Sequence, residues 1–229
     1  MRENCYLCGA ADNLTRDHIP PLGFFPKPRP SNLITVPCCH SCNKEWSQED
    51  EYMRALLSLS DIGRSTAGDA VFRDRVVPRI EKSSPKLRDW LLSGMEDIEL
   101  ETPTGTIKLT RWTFSEADMK RVQKFMARLT KGFLRYLFPE LDISKIECFA
   151  RHIHNQSILA ELKPITDRLR YEERGDGVIR FGYATIWDEP GSGAFVFAFY
   201  NVVWFIVFYS NRKPPPWNAL EASTSSTTN

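Results

Sequence analysis

Two pairs of cysteines stand near the start of this 229-residue chain, and two residues separate the members of each pair. Cys5 and Cys8 form the first pair, and Cys39 and Cys42 form the second. Two thiolates at this spacing bind one ion from a tight turn, and two such turns complete a tetrahedral zinc site. We therefore predict a structural Zn2+ site, because four protein ligands leave no open position for chemistry.

Two further side chains that bind metals lie at the second pair. Cys38 could replace Cys39, although the spacing to Cys42 would then lengthen, and the imidazole of His40 could replace a thiolate. We leave both outside the predicted zinc site, because the two-residue spacing is the tighter match. Five of the six cysteines lie in the first 42 residues, and the chain's start lacks the apolar stretch of a signal peptide. This pattern predicts a reducing, cytoplasmic setting.

The segment between the cysteine pairs contains an acid and a base side by side, Asp17 and His18. A carboxylate suits a hard cation such as Mg2+, and a neutral imidazole suits a general base near neutral pH. Adjacent residues of a strand point to opposite sides. His18 taken alone could be a buried, hydrogen-bonded histidine, but the neighbouring carboxylate and the flanking cysteines favour a catalytic role.

These features follow one another in an order that resembles the HNH endonucleases, which have the ββα-metal nuclease fold. The resemblance rests on CYLCG, RDHIPP, SNLITVPCCHSC and NK, within residues 5–50. It implies that His18 is the general base and that Asp17 is a ligand of a catalytic divalent metal. It also implies that Asn32 orients the base and that Asn43 is the second metal ligand, where the family's last histidine is usual.

This His-Asn-Asn form implies a catalytic Mg2+ or Mn2+, because an amide oxygen is a harder ligand than an imidazole nitrogen. The implied activity is hydrolysis of phosphodiester bonds in DNA, and compact modules of this family often work with partner proteins in defence or mobile-element systems. Lys44 could contact a phosphate. Simpler interpretations stay open: Asn32 as a turn residue, Asn43 as a helix N-cap and Lys44 as a solvated side chain. A zinc-stabilised module that binds nucleic acid or protein without cutting is the alternative function.

Local patterns predict the elements that must position these residues. NLTRDHI and NLITVP favour two strands joined by a proline-rich loop, and a helical pattern begins at about Ser41. The fold class is therefore α+β. We predict a small zinc-stabilised ββα-metal module at residues 1–62 and a larger mixed helix and antiparallel-sheet domain at residues 63–219. A disordered tail follows at residues 220–229.

The larger part carries signals for helices and strands. We predict helices over residues 68–82 and 84–95, broken near Pro78 and Pro85, a hairpin within residues 97–114 and a helix over residues 143–162. Ser115 and Asp118 form a capping box that predicts a helix over residues 116–138. Six apolar side chains recur on one face of that helix and should face a core: Met119, Val122, Met126, Leu129, Phe133 and Tyr136.

The same helix carries a stripe of basic side chains. The stripe could follow a nucleic-acid backbone, although a solvated helix face is the more ordinary interpretation. The net charge of +1 does not by itself indicate a nucleic-acid partner. The members of this basic stripe are Lys120, Lys124, Arg128, Lys131 and Arg135.

An uncharged segment at residues 193–210 just reaches the length of a membrane helix. It is rich in Phe, Val, Tyr and Trp, which favour strands, and a turn signal precedes it. We therefore predict two buried strands, or a hairpin around Tyr200 and Asn201, and no membrane partner.

Overall fold

A computed structural model describes residues 3–60, 65–113, 115–153, 163, 166–167, 169–186 and 189–212. The predicted tail lies outside these residues. The helices are α1 (His40–Glu45), α2 (Ser47–Leu59), α3 (Thr66–Val71), α4 (Val77–Lys82), α5 (Pro85–Ser93) and α6 (Glu116–Leu137). The strands are β1 (Leu14–Ile19), β2 (Ile34–Cys39), β3 (Met95–Thr102), β4 (Gly105–Trp112), β5 (Glu147–Ile153), β6 (Arg170–Arg174), β7 (Ile179–Ile186), β8 (Glu189–Phe199) and β9 (Val203–Ser210).

The predicted α+β class is confirmed, and the N-terminal elements follow the order strand, strand, helix. β1 and β2 form an antiparallel pair that runs from Leu14 opposite Cys39 to Ile19 opposite Ile34. α1 begins at His40, directly after β2. The second cysteine pair therefore lies across the junction of β2 and α1.

A five-stranded antiparallel sheet forms the larger layer, in the order β5-β9-β8-β7-β6. β8 and β9 make the hairpin predicted around Tyr200 and Asn201, whose φ angles are 53° and 63°. A tight hairpin turn needs two consecutive residues with positive φ, so the pair closes the hairpin there. Among the helices of the described residues, none is both long and apolar enough to cross a membrane.

α6 packs on this sheet and begins at the predicted capping box of Ser115 and Asp118. The ring of Phe133 lies 4.2 Å from that of Phe181, measured between centroids. Of the six apolar positions predicted to face the core, the four central ones are buried. The prediction is wrong for Met119 and Tyr136, which are 38% and 44% exposed. Met119 borders a small open pocket with Val203 and Phe205, so it stands at the margin of the core.

Another face of α6 contacts the N-terminal hairpin, so both predicted units share one hydrophobic core. At Gly132 a Cβ atom would lie only 2.6 Å from Cδ1 of Ile19, so the helix and β1 approach closely there. The hydroxyl of Tyr200 donates a hydrogen bond of 3.1 Å to the carbonyl of Phe24. The sheet and the N-terminal module are therefore packed against each other.

Two local predictions need correction. The helix predicted over residues 143–162 is wrong where the structure describes it, because residues 147–153 form β5, paired with β9; residues 154–162 lie outside the described residues. The helix over residues 68–82 is not broken at Pro78, because a π-helical turn at Phe72–Val76 leads into α4 and the proline lies in its first turn. The β3–β4 hairpin and the start of α5 at Pro85 are as predicted.

Candidate metal centre and adjoining groove

The four predicted zinc ligands, Cys5, Cys8, Cys39 and Cys42, converge. Their sulfur atoms all lie within 4.8 Å of one another, and the Sγ atoms of Cys8 and Cys39 are 3.6 Å apart. A zinc–sulfur distance of about 2.3 Å in a tetrahedral site places the sulfurs about 3.8 Å apart. The cluster therefore fits a four-cysteine metal site of the zinc type, as the sequence predicted.

Cys38 and His40 do not belong to the group of four mutually close ligands, although Sγ of Cys38 lies 4.0 Å from Sγ of Cys5. Cys38 stands opposite Thr15 on the other face of the hairpin, and burial raises the pKa of its thiol strongly. In contrast, a hydrogen bond from the Ser41 hydroxyl lowers the pKa of Cys39 to about 6. The mutual distances of the four sulfurs therefore select Cys39 over Cys38. The side chain of His40 is exposed.

Asp17 is buried in a polar network beneath the hairpin. Its Oδ2 accepts hydrogen bonds from the Tyr6 hydroxyl at 2.8 Å and from Nη2 of Arg128 at 2.7 Å. Arg128 also donates through Nη1 to Asp50 and through Nε to Tyr6. Its side chain is only 3% exposed, so the prediction that Arg128 belongs to a phosphate-contacting stripe is wrong. The guanidinium is turned inwards because two buried carboxylates require a counter-charge.

The pKa values of Asp50, Tyr6 and Arg128 reflect their burial and mutual contacts in this network. Burial raises the pKa of Asp50 to about 6, and it raises the pKa of Tyr6 well above its usual range. Burial alone would lower the pKa of Arg128, but the neighbouring Tyr6, Asp50 and Asp17 raise it. Arg128 therefore stays charged and supplies the positive charge of the network at any pH at which the protein is folded.

Asn43 and Asp17 project from the same side of the hairpin. Asn43 lies half-buried on α1, and its Nδ2 donates a hydrogen bond of 3.2 Å to the hydroxyl of Thr15. Thr15 stands two residues before Asp17 and therefore shares its face of β1. His18 projects to the opposite face, is half-buried, and makes no hydrogen bond in the part of the chain that the structure describes. Asn32 is exposed just before β2, at the same end of the hairpin as His18.

Asp17 and Asn43 each have a side-chain oxygen that accepts no hydrogen bond among the described residues, and such oxygens suit a hard divalent cation. Within the described residues, Oδ1 of Asp17 and Oδ1 of Asn43 accept no hydrogen bond, because the bonds of these side chains use Oδ2 and Nδ2. Carboxylate and amide oxygens are the ligands that Mg2+ and Mn2+ prefer. The donor chemistry therefore fits, while the charge of Arg128 beside Asp17 opposes a second cation.

A groove of about 520 Å3 runs between the N-terminal module and α6. Leu7, Glu45 and Trp46 line one side, and Lys124 and Lys131 line the other. Arg128 also borders the groove, with the centre of its guanidinium 5.1 Å from the centroid of the Trp46 ring. The groove therefore leads from solvent to the network that holds Asp17.

The other basic side chains have different environments. Lys120 pairs with Glu116 at 2.7 Å, and Nη1 of Arg135 donates to the carbonyl of Pro139 at 2.8 Å. Lys124 and Lys131 form no ion pair within the described ranges, so these two members of the predicted stripe remain candidates for phosphate contact. Lys44 is exposed on α1.

The sequence did not reveal Tyr6, Trp46 and Asp50 as parts of the site. Asp50 stands in the acidic run QEDE at the start of α2, and no local pattern distinguishes it from its neighbours. Trp46 lies between α1 and α2, where an aromatic residue would ordinarily be assigned to packing. No family model, curated protein or solved structure matches the chain. The proposed function therefore rests on the residues of this chain alone.

Proposed function

We propose that the protein is a metal-dependent endonuclease of the HNH type, which hydrolyses phosphodiester bonds in DNA. One observation carries the proposal. The strand–strand–helix unit, joined by the cysteine cluster, presents Asp17 and Asn43 on one face, each with an oxygen atom free of hydrogen bonds among the described residues. The ring of His18, next to Asp17, is likewise without a hydrogen bond there.

Each of these residues has a role in the proposed reaction. Asp17 and Asn43 would hold a divalent cation, which when bound offsets the negative charge that develops on the phosphate. His18 accepts a proton from the attacking water through its unengaged ring. Asp17 and His18 are adjacent on β1, so the proposed metal ligand and the proposed base come from the same strand. Asn32 is assigned to orienting His18, since both lie at the same end of the hairpin.

The groove beside α6 supports a nucleic-acid substrate. Lys124 and Lys131 stand seven residues apart on the helix, which is about two turns or 10 Å along its axis. Two unpaired ammonium groups along a groove attract a phosphate backbone without reading its sequence. Trp46 adds an aromatic ring on the opposite wall, against which an unpaired base could stack.

A second candidate function is binding without cleavage, and the ion pair between Asp17 and Arg128 favours it. A carboxylate that already neutralises a buried guanidinium has less negative charge to offer a metal. A module of this kind would still use the cysteine cluster, the groove and the two lysines. The two candidates differ only in whether Asp17 and Asn43 bind a divalent cation.

The discriminating experiment measures cleavage and binding in parallel on the zinc-loaded protein. Supercoiled plasmid and labelled oligonucleotides are incubated with no added metal, Mg2+ or Mn2+, and DNA binding is followed under the same conditions. If the protein is an enzyme, cleavage should require the added cation, and the cleavage rate should be at least about tenfold lower in Asn43→Ala. Asn4→Ala, a change at an exposed asparagine beside the first cysteine pair, should cut as wild type does. DNA binding with no cutting in any metal would support the binding module instead.

A further inference from the structure

A second cavity lies on the other side of α2, away from the proposed nuclease residues. It has a volume of about 710 Å3, which is within the range of small-ligand sites. α2, the π-helical turn, α4 and the residues before α5 surround it. Three arginines line it, namely Arg54, Arg75 and Arg79.

The positive charge of this cavity is only partly balanced. Nε of Arg79 donates to the carboxylate of Glu51, and Nη2 of Arg54 lies 4.0 Å from the same oxygen of Glu51. Asp74 also borders the cavity, but it pairs with Arg73 at 2.9 Å. Arg75 forms no ion pair within the described residues. Three guanidinium groups thus converge on a cavity in which Glu51 is the carboxylate that pairs with them.

Two of the guanidinium nitrogens are shielded from solvent without a hydrogen bond. They are Nε of Arg54 and Nη2 of Arg75. The Arg54 side chain is 16% exposed, and burial lowers its pKa, although the nearby Glu51 opposes this shift. Buried polar atoms of native proteins nearly always have a partner, and an ion is one of the usual partners. These two nitrogens therefore have no acceptor among the described residues, and the guanidinium groups that carry them border the cavity.

Hydroxyl groups on the rim of the cavity add further donors. Ser83 and Ser84 both line it, just before α5 begins at Pro85. Ser84 is the N-cap of α5, yet its side chain makes no capping hydrogen bond. Ser83 Oγ accepts from Nη1 of Arg79 and so keeps its own proton to donate.

We propose that this cavity is a binding site for a phosphate group. Forked guanidinium donors match the oxygens of a phosphate, and several arginines with hydroxyls surround a tetrahedral dianion better than a flat, singly charged carboxylate. The phosphate could be free or could be the terminal phosphate of a nucleotide or nucleic-acid chain, because these share the group that the arginines would bind. The inference does not depend on cleavage by His18.

Calorimetric titration with inorganic phosphate tests the site on the zinc-loaded full chain. Wild type should bind one phosphate, and Arg75→Gln should bind it at least about tenfold more weakly, since a hydrogen bond to a charged group is lost. The matched control is Arg88→Gln on α5, where the arginine and its partner Asp89 both lie outside the cavity, and this variant should bind as wild type does. Arg79→Gln provides a second test at a half-exposed side chain if Arg75→Gln does not fold.

Two further ligands identify the source of the phosphate. A nucleoside monophosphate and an oligonucleotide with a 5′-phosphate are each titrated, with the 5′-hydroxyl oligonucleotide as the control for the oligonucleotide. If the 5′-phosphorylated oligonucleotide binds more tightly than inorganic phosphate and the 5′-hydroxyl oligonucleotide does not bind, the site is assigned to a nucleic-acid end. Absence of phosphate binding to wild type, or equal binding by wild type and Arg75→Gln, would overturn the proposal.

Discussion

Replacing Arg128 with methionine is expected to lower the free energy of unfolding by about 3–5 kcal/mol, the usual cost of leaving buried charges without their partner. The Arg128 side chain is 3% exposed, and it pairs with Asp17 and Asp50, which are 5% and 17% exposed. Methionine has a similar length and carries no charge. The substitution therefore leaves two carboxylates together in the core with no cation between them.

The loss should grow as the pH rises. In the wild-type protein burial raises the pKa of Asp50 to about 6, above its ordinary value of 3.8. The folded state therefore binds more protons than the unfolded state between these values, so the stability that Asp50 contributes at low pH is lost as the pH rises through about 6. Arg128 lowers this pKa in the wild type, so the variant should lose stability over a wider pH range.

Urea unfolding followed by tryptophan fluorescence, at about pH 5 and about pH 8, measures the effect. Lys124→Met, an exposed site on the same helix, should change the free energy of unfolding by no more than about 0.5 kcal/mol. Adding Asp17→Asn and Asp50→Asn to the Arg128 variant should recover most of the loss, because no buried charge then remains unpaired. A loss below about 1 kcal/mol, as an exposed ion pair would give, would refute the buried network.

Three further results are expected. Cys39→Ser should abolish the binding of one zinc ion per chain, measured by atomic emission, whereas Cys38→Ser should retain it, because Cys38 lies outside the cluster. Removing zinc with a chelator should lower the unfolding temperature, since metal binding contributes to folding; an unchanged temperature would contradict a structural role. Gly132→Val should destabilise the protein by about 1–3 kcal/mol through overpacking against Ile19, while Ala127→Val on the groove side should cost less than about 1 kcal/mol.

Features with local causes could be predicted from the sequence. The capping box of Ser115 and Asp118 uses a side chain and a backbone group three residues apart, so it marks the start of α6 without reference to the rest of the fold. The turn at Tyr200 and Asn201 is similarly local. The cysteine pairs also belong to this class, because each pair lies within four consecutive residues and only the approach of the two pairs is long-range.

Features with distant causes could not be predicted. Arg128 has the spacing of a surface stripe, but it is buried because its partners Asp17 and Asp50 lie 111 and 78 residues away in the sequence. β5 has a helical pattern, yet it pairs with β9, more than fifty residues further along the chain. Long-range strand pairing overrides weak local propensity. The groove beside α6 is of the same kind, since its two walls come from distant segments.

The most direct test of the proposed nuclease compares the initial rate of Mg2+-dependent plasmid cleavage in wild type, His18→Ala and His40→Ala. His40 is an exposed histidine of the same module that belongs to neither proposed metal site, so it is the matched control. If His18 is the general base, the cleavage rate of His18→Ala should be about 100-fold to 10,000-fold lower than that of wild type, with zinc content and folding unchanged. Wild-type cleavage by His18→Ala, or no cleavage by the zinc-loaded wild type, would contradict the account.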